Sequence, residues 1–225
     1  MSFPFIKHTI AFVASMVFLC SCFQVVEEVT VKNDGSGEMQ LTVNFSQSRS
    51  KLASIMLMDS VNGHKIPSEK DIRDFMDETV AYLKKSKGIS NVKKTLDLKN
   101  YIATVTFNFK DLADINGLTK KLLEKEKGKA PVNSYMFEKA SSQVKRIYQY
   151  SPAMKKEYDK LKPKDRELFK TAGFTSIFRF DKTIASSSNK AAKISPSGKS
   201  IMIKTTALGL IFGSANISNS IQLNK

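Results

Sequence analysis

The chain has 225 residues, with 36 Lys and Arg against 21 Asp and Glu, and a formal net charge of +15. Its apolar content of 41% and charged content of 25% are those of a globular protein and exclude a disordered chain. Only five of the basic residues are arginine, the usual reader of phosphates and base edges, so no nucleic-acid partner is expected. The scattered lysines leave two interpretations open: a face turned to anionic headgroups or glycans, or a solvated basic surface.

The first two dozen residues have the pattern of a secretion signal. Lys7 precedes an apolar run over residues 10–19. That length suits a signal peptide and is about half of what a membrane-spanning helix needs. No later apolar run is longer. We therefore expect residues 1–21 to be a signal peptide and residues 22–225 to form a single α+β domain.

The apolar run closes in Leu19-Cys20-Ser21-Cys22, which resembles the lipobox of bacterial lipoproteins. The resemblance implies a diacylglyceryl thioether on Cys22, cleavage before it, and acylation of the new amino terminus, for example by palmitate. Cys20 departs from the family pattern, in which small or β-branched residues are usual there. Since two or more acyl chains anchor a protein stably, we expect attachment to a bacterial cell membrane or outer membrane, facing the periplasm or exterior. The alternatives are an ordinary signal peptide with an incidental cysteine and a buried hydrophobic N-terminal helix.

Both cysteines of the chain lie in this segment. The remainder therefore has no disulfide, no cysteine nucleophile and no thiolate metal site. It has one histidine, His64, which lies in a polar stretch and is predicted to be a loop residue. The chain contains neither a Gly-x-Ser-x-Gly elbow nor a Gly-rich nucleotide loop, so no cofactor is expected.

A β-hairpin follows the anchor. Val29 and Val31 alternate with polar residues, and alternation resumes over residues 39–45 after a turn at residues 33–37. This period of two around Asn, Asp and Gly predicts two paired strands. The turn also resembles part of a calcium loop, but the further spaced acidic ligands are absent, and no metal is expected.

Two helices are predicted next. Residues 48–60 are mildly helical. A stronger helix begins with a capping box at Ser68 and Asp71 and ends at Gly88. It carries a stripe at helical spacing that must face a sheet or another helix: Ile72, Phe75, Met76, Thr79, Val80 and Leu83.

The hairpin-then-helix order then repeats. Apolar and polar residues alternate on either side of a turn near Lys99 and Asn100, which predicts two strands. The apolar spacing that follows predicts a helix over residues 111–126 that stops at Gly128. Residues 128–150 fit either two short strands or a loop with a partial helix.

The last third begins with a charged helical segment over residues 152–172, with a break at Pro163. Strand patterns follow at residues 174–184, 192–194 and 200–206, separated by a polar linker at 186–189, and a last strand carries Ile217, Ile221 and Leu223. The predicted fold class is α+β: an antiparallel sheet of hairpins with two to four amphipathic helices packed on one face.

Three features together resemble bacterial lipoproteins with a domain like that of the mycobacterial lipoprotein LppM. These are the anchor, the strand-Asn-Asp-Gly-Ser-Gly-strand unit over residues 29–45, and the strands over residues 174–223 around the Ser-Pro-Ser-Gly-Lys turn at residues 195–199. The resemblance covers less than half of the chain. It implies an α+β domain on the envelope surface and brings no catalytic residue.

Acidic pairs are the remaining catalytic candidates, since paired carboxylates serve glycosidases. Each pair is predicted to lie on the solvent side of its element, so we expect no enzyme and no catalytic residue; the pairs are Glu27/Glu28, Asp111/Asp114 and Glu124/Glu126. The predicted function is a non-catalytic binding or interaction module of the envelope, contacting a protein or anionic partner through residues 152–172 and its basic surface. The alternative is a carrier of an apolar ligand or lipid. A cavity lined between sheet and helices would distinguish the carrier.

Overall fold

The computed structural model describes residues 23–58, 60–61, 64–118 and 132–225. The predicted lipidation site, Cys22, lies outside the described residues, as do residues 119–126 of the helix predicted over residues 111–126.

The described chain forms a seven-stranded, a four-stranded and a two-stranded sheet. The large sheet has the order β11-β12-β9-β1-β2-β6-β5, and the four-stranded sheet the order β10-β13-β8-β7. The strands are β1 (Gln24–Val31), β2 (Gly37–Asn44), β3 (Ser60–Val61), β4 (His64–Lys65), β5 (Ile89–Asp97), β6 (Ile102–Phe109), β7 (Val132–Glu138), β8 (Gln143–Gln149), β9 (Gly173–Phe180), β10 (Ile184–Ser187), β11 (Lys193–Ile194), β12 (Ser200–Thr206) and β13 (Asn219–Leu223).

The α-helices among the described residues are α1 (Arg49–Met56), α2 (Glu69–Lys84), α3 (Pro152–Lys160), α4 (Pro163–Lys170) and α5 (Ala207–Ile211). Short 3-10 helices cover Ser46–Ser48 and Leu112–Ile115. The capping box predicted for α2 is confirmed, because the Ser68 side chain accepts from the Asp71 N–H while the Asp71 carboxylate accepts from the Ser68 N–H. Pro163 begins α4, which explains the break in the charged helical segment.

One hydrophobic core joins the two larger sheets and α2. Along β1, alternate residues such as Val29 and Val31 are buried, and the same alternation continues on neighbouring strands. The core residues include Val29, Phe107 and Phe178 of the large sheet, Val144 and Ile221 of the four-stranded sheet, and Leu83 of α2. The sheets therefore pack face to face, as in a sandwich, with α2 against β5 at one side.

The predicted α+β class and its hairpins are confirmed, as are the amphipathic helix α2 and the helical segments that form α3 and α4. The structure adds one parallel pairing, β1 with β9, to an otherwise antiparallel large sheet. For the doubtful segment at residues 128–150, the structure shows the strands β7 and β8, which is the first of the two alternatives.

Four local predictions are wrong. Phe75 leaves the buried stripe of α2 and is 49% exposed, because α2 turns only the side of Met76, Thr79 and Leu83 to the core. His64 lies in the strand β4 and not in a loop. The polar linker begins as strand, since Ser187 pairs with Ile221 in β10 and β13. The helix predicted over residues 111–126 is, in its described part, a 3-10 helix at Leu112–Ile115 that ends at an extended Asn116. No element is predicted for residues 207–211, which form α5, capped by the Thr206 side chain.

Candidate functional site

An apolar cavity of about 370 Å³ lies between the large sheet and the helices α1, α2 and α4. It is at the end of the sheet where β1 begins, because the register brings the start of β1 beside the end of β2 and the start of β6. The lining residues are Val43, Phe45, Leu52, Ile55, Met56, Ile66, Pro67, Ile72, Leu96, Leu98, Tyr101, Ile102, Ala103 and Leu168.

Strand register and helix periodicity explain why these side chains converge. Val43 and Leu96 both pair with Ala103, so the three point to the same face of adjacent strands. Opposite them, α1 turns Leu52, Ile55 and Met56 towards the cavity at the spacing of one helix face. Because α1 has no buried residue, it covers the cavity without filling it.

The chemistry of this lining is almost purely apolar. Of the fourteen lining residues only Tyr101 has a polar atom in its side chain, and none is charged. The volume falls within the roughly 300–1,000 Å³ of sites for small molecules. An ionised group placed there would lose its hydration without gaining a partner, whereas a hydrocarbon group would gain the free energy of leaving water. The cavity therefore suits an apolar ligand.

A strained turn holds the one polar lining side chain. Tyr101 has a φ of 55°, the left-handed region that non-glycine residues seldom adopt. The Phe45 N–H donates to the Tyr101 carbonyl at 3.0 Å, and the Asp97 carboxylate accepts from both the backbone and the side chain of Asn100. These bonds stabilise the turn, and the same interaction with Asn100 lowers the pKa of Asp97.

The first described residue, Phe23, packs against the wall of this cavity. Its ring lies 5.1 Å from that of Phe45, which lines the cavity, and 5.6 Å from that of Phe169, which follows the lining residue Leu168. Its carbonyl accepts from the Gly173 N–H at 2.9 Å. Phe23 is also the residue that directly follows Cys22, the predicted lipid attachment point, in the sequence.

A second cluster, buried and charged, joins the two sheets. Arg146 of β8 lies 2.8 Å from the Glu27 carboxylate of β1, and both residues are at most 5% exposed. Ser176 and Tyr135 also donate to Glu27, each at 3.0 Å, and Asn133 accepts from Arg146 at 3.1 Å. Burial, and then the charge of Glu27, raise the pKa of Tyr135 far above its ordinary value. Glu27 and Arg146 both have their partners within this cluster. Because Glu27 lies on the large sheet and Arg146 on the four-stranded sheet, the cluster links the two sheets.

The prediction that Glu27 faces solvent is therefore wrong, while its neighbour Glu28 does lie at the surface and binds Arg179 at 2.8 Å. The sequence contained a signal for the buried pair: Glu27 is in phase with Val29 and Val31, as Arg146 is with Val144 and Tyr148. A charged residue on the apolar side of a strand pattern is expected to be buried and paired.

The other predicted site residues are dispersed. Asp111 and Asp114 form a capping box at the 3-10 helix and do not face each other across a cleft. Glu124 and Glu126 lie outside the described residues, as Cys22 does. Within the described ranges, no group of three or more His, Cys, Asp or Glu residues is placed to hold a metal ion.

The predicted partner surface consists of the charged helices α3 and α4. Several of their charged side chains form ion pairs within the same helix. Lys160 binds Glu157 and Lys170 binds Glu167, each at 2.7 Å and within one helix. Their apolar side is aromatic: the ring of Tyr158 meets those of Phe169 and Phe212 edge to face. These helices thus pack, through aromatic contacts, onto the end of the sheet where β1 begins.

In the part of the chain that the structure describes, no helix is both long and apolar enough to cross a membrane. No protein-family model and no curated protein sequence matches the chain. Among solved structures, the chain is similar to the NMR structure of the folded domain of LppM from Mycobacterium tuberculosis. The identity is 12%, the match covers 90% of each chain, and the TM-score is 0.49.

Proposed function

We propose that this protein is a lipid-anchored, non-catalytic protein of a bacterial envelope membrane, and that its domain binds an apolar ligand of the lipid acyl-chain class. The observation that carries the ligand proposal is the apolar cavity between the sheet and α1, α2 and α4. The anchor rests on the sequence ending in Cys22. Because Phe23 packs beside the cavity, the site would lie next to the bilayer that supplies its ligand.

The cavity favours the carrier over an interaction module that acts through residues 152–172. A carrier needs a lined, largely uncharged space between sheet and helices, and this chain has one. An interaction module at α3 and α4 would use their exposed charges, several of which already form ion pairs within the helices. Contact with an envelope protein or an anionic surface remains a second proposal, favoured by the net charge of +15.

Filling the cavity should test the proposal. Ala103→Leu adds three carbons to the cavity wall without adding charge, so a fluorescent fatty acid should bind about tenfold more weakly, or ~1.4 kcal/mol. Binding is measured by fluorescence in buffer without vesicles. Thr95→Leu is the matched control, because Thr95 is exposed and pairs with Thr104, on the opposite face of the same two strands.

Circular dichroism and thermal unfolding of both variants show whether each remains folded. Equal binding by Ala103→Leu and the unchanged protein would contradict the proposal, as would a total absence of binding by the unchanged protein. A loss of binding in both variants would also contradict it, because Thr95 does not line the cavity.

A further inference from the structure

The end of α1 carries the most exposed large apolar side chain of the described residues. Leu57, which caps α1, is 89% exposed, and the next residue, Met58, is 52% exposed. Neither lines the cavity, although Met56 directly before them does. Two adjacent large apolar residues held in water at the border of an apolar cavity indicate a contact with something apolar.

The charge of the same segment indicates what that partner is. Residues 49–58 contain Arg49 and Lys51, both exposed, and no carboxylate. A short helix with basic residues near its start and apolar residues at its end is suited to an interface that is anionic at its surface and apolar beneath. A protein partner would require a larger and more continuous apolar patch than two residues.

The position of α1 in the fold supports the same partner. The chain that precedes Phe23 contains the apolar run at residues 10–19 and Cys22. Phe23 packs against Phe45, and only the 3-10 helix Ser46–Ser48 separates Phe45 from α1. The helix itself is about 12 Å long at ~1.5 Å per residue. The exposed end of α1 thus belongs to the same end of the domain as Phe23, which follows Cys22 in the sequence.

We infer that Leu57 and Met58 insert into the interface of an anionic bilayer while Arg49 and Lys51 contact its headgroups, so that the domain docks on the membrane with the cavity facing it. This surface differs from the cavity and does not require that the cavity bind a ligand. It would orient the domain, which a flexible lipid at Cys22 would not do alone.

The test uses the full chain with Cys20 and Cys22 changed to serine and one new cysteine, Leu57→Cys or Met136→Cys, labelled with an environment-sensitive fluorophore. Met136 is the matched control, because it is 47% exposed and lies on β7, the edge strand of the four-stranded sheet, whereas α1 covers the large sheet. The apolar run at residues 10–19 tethers both probes equally to vesicles. The difference between the two probes therefore reports the domain's own contact.

With vesicles of mixed phosphatidylcholine and phosphatidylglycerol, the probe at position 57 should shift to the blue and be quenched by lipid-borne quenchers, while the probe at position 136 stays unchanged. Arg49→Gln with Lys51→Gln should weaken the shift on these vesicles more than on phosphatidylcholine alone. An unchanged probe at position 57, or equal changes at both positions, would overturn the inference. Leu57→Asp with Met58→Asp should leave fatty-acid binding in buffer intact, so failure of docking and failure of ligand binding are distinguishable.

Discussion

Glu27 and Arg146 form an ion pair across the interior, with Oε1 and a guanidinium nitrogen 2.8 Å apart and side chains 6% and 1% exposed. The pair joins β1 of the large sheet to β8 of the four-stranded sheet, between residues 119 positions apart in the chain. Its remaining hydrogen-bonding groups are occupied by Ser176, Tyr135 and Asn133. Such a pair fixes how the two sheets face each other, since a shift of either would leave a buried charge without its partner.

Removing one partner of this pair should therefore destabilise the fold strongly. Glu27→Leu leaves the Arg146 charge buried and unpaired, at an expected cost of about 3–5 kcal/mol in the free energy of unfolding. The double change Glu27→Leu with Arg146→Met removes both charges and should cost less than Glu27→Leu alone. Urea unfolding followed by circular dichroism measures all three proteins.

The neighbouring pair supplies the control. Glu28 and Arg179 are also 2.8 Å apart, but their side chains are 29% and 50% exposed. Glu28→Leu should change the free energy of unfolding by at most about 1 kcal/mol, because water screens an exposed pair. If Glu27→Leu and Glu28→Leu cost the same, the buried pair does not have the structural role assigned to it.

Tyr135 should make the stability depend on alkaline pH. Its hydroxyl donates to Glu27, and burial raises its pKa above the ordinary value of 10.0. A group whose pKa is raised on folding stabilises the fold below its unfolded pKa and loses that contribution as the pH rises. Here the unfolded chain ionises at Tyr135 above about pH 10, while the folded chain keeps the proton.

Tyr135→Phe should accordingly cost roughly 1.5–3 kcal/mol at neutral pH, the range of a hydrogen bond to a charged group. The difference between the two proteins should be constant below about pH 9 and should shrink steadily as the pH rises above about 10, because the unfolded form of the unchanged protein then ionises at Tyr135 while its folded form does not. Urea unfolding at several pH values measures it. A difference that stays constant with pH would contradict the assignment.

The elements that the sequence predicted well are those with local signals. The first hairpin and α2 follow from alternation, a capping box and turn residues, all within a few positions of each other. The parallel pairing of β1 with β9 joins Gln24 to Gly173 and has no local signal. The second sheet depends in the same way on a distant pairing, that of β13 with β8.

From the sequence, the cavity could be predicted only as part of the alternative function, a carrier of an apolar ligand. Its walls come from strands, a turn and three helices that are far apart in the sequence, and its volume depends on how closely α1 and α4 approach the sheet. The pattern of no single segment predicts how far α1 and α4 lie from the sheet. The buried pair, by contrast, could have been found, since Glu27 and Arg146 each stand in phase with buried apolar residues.

Gly37 should tolerate no side chain. A Cβ there would lie 1.8 Å from the Thr30 carbonyl oxygen and 2.6 Å from the ring of Phe109, which is buried. Gly37→Ala must therefore separate β1 from β2 or displace Phe109, at an expected cost of about 1–3 kcal/mol in the free energy of unfolding. In the control Gly173→Ala, the nearest atoms are 3.9 Å away, and stability should stay equal or rise by up to about 1 kcal/mol. Equal losses in thermal unfolding would contradict the steric explanation.

The lipid anchor can be tested at the two cysteines. They lie two positions apart, and only Cys22 is expected to carry a lipid. Mass spectrometry of the membrane-extracted protein should find a chain that begins at an acylated Cys22. Cys22→Ala should remove the lipid and prevent the cut before position 22, so that the chain carries no acyl mass and keeps the apolar run at residues 10–19 as its only tether. Cys20→Ala should keep both the lipid and the membrane fraction, since Cys20 belongs to the part that is removed. In the unchanged protein, an intact Met1 or a cut at another position would contradict the lipid anchor.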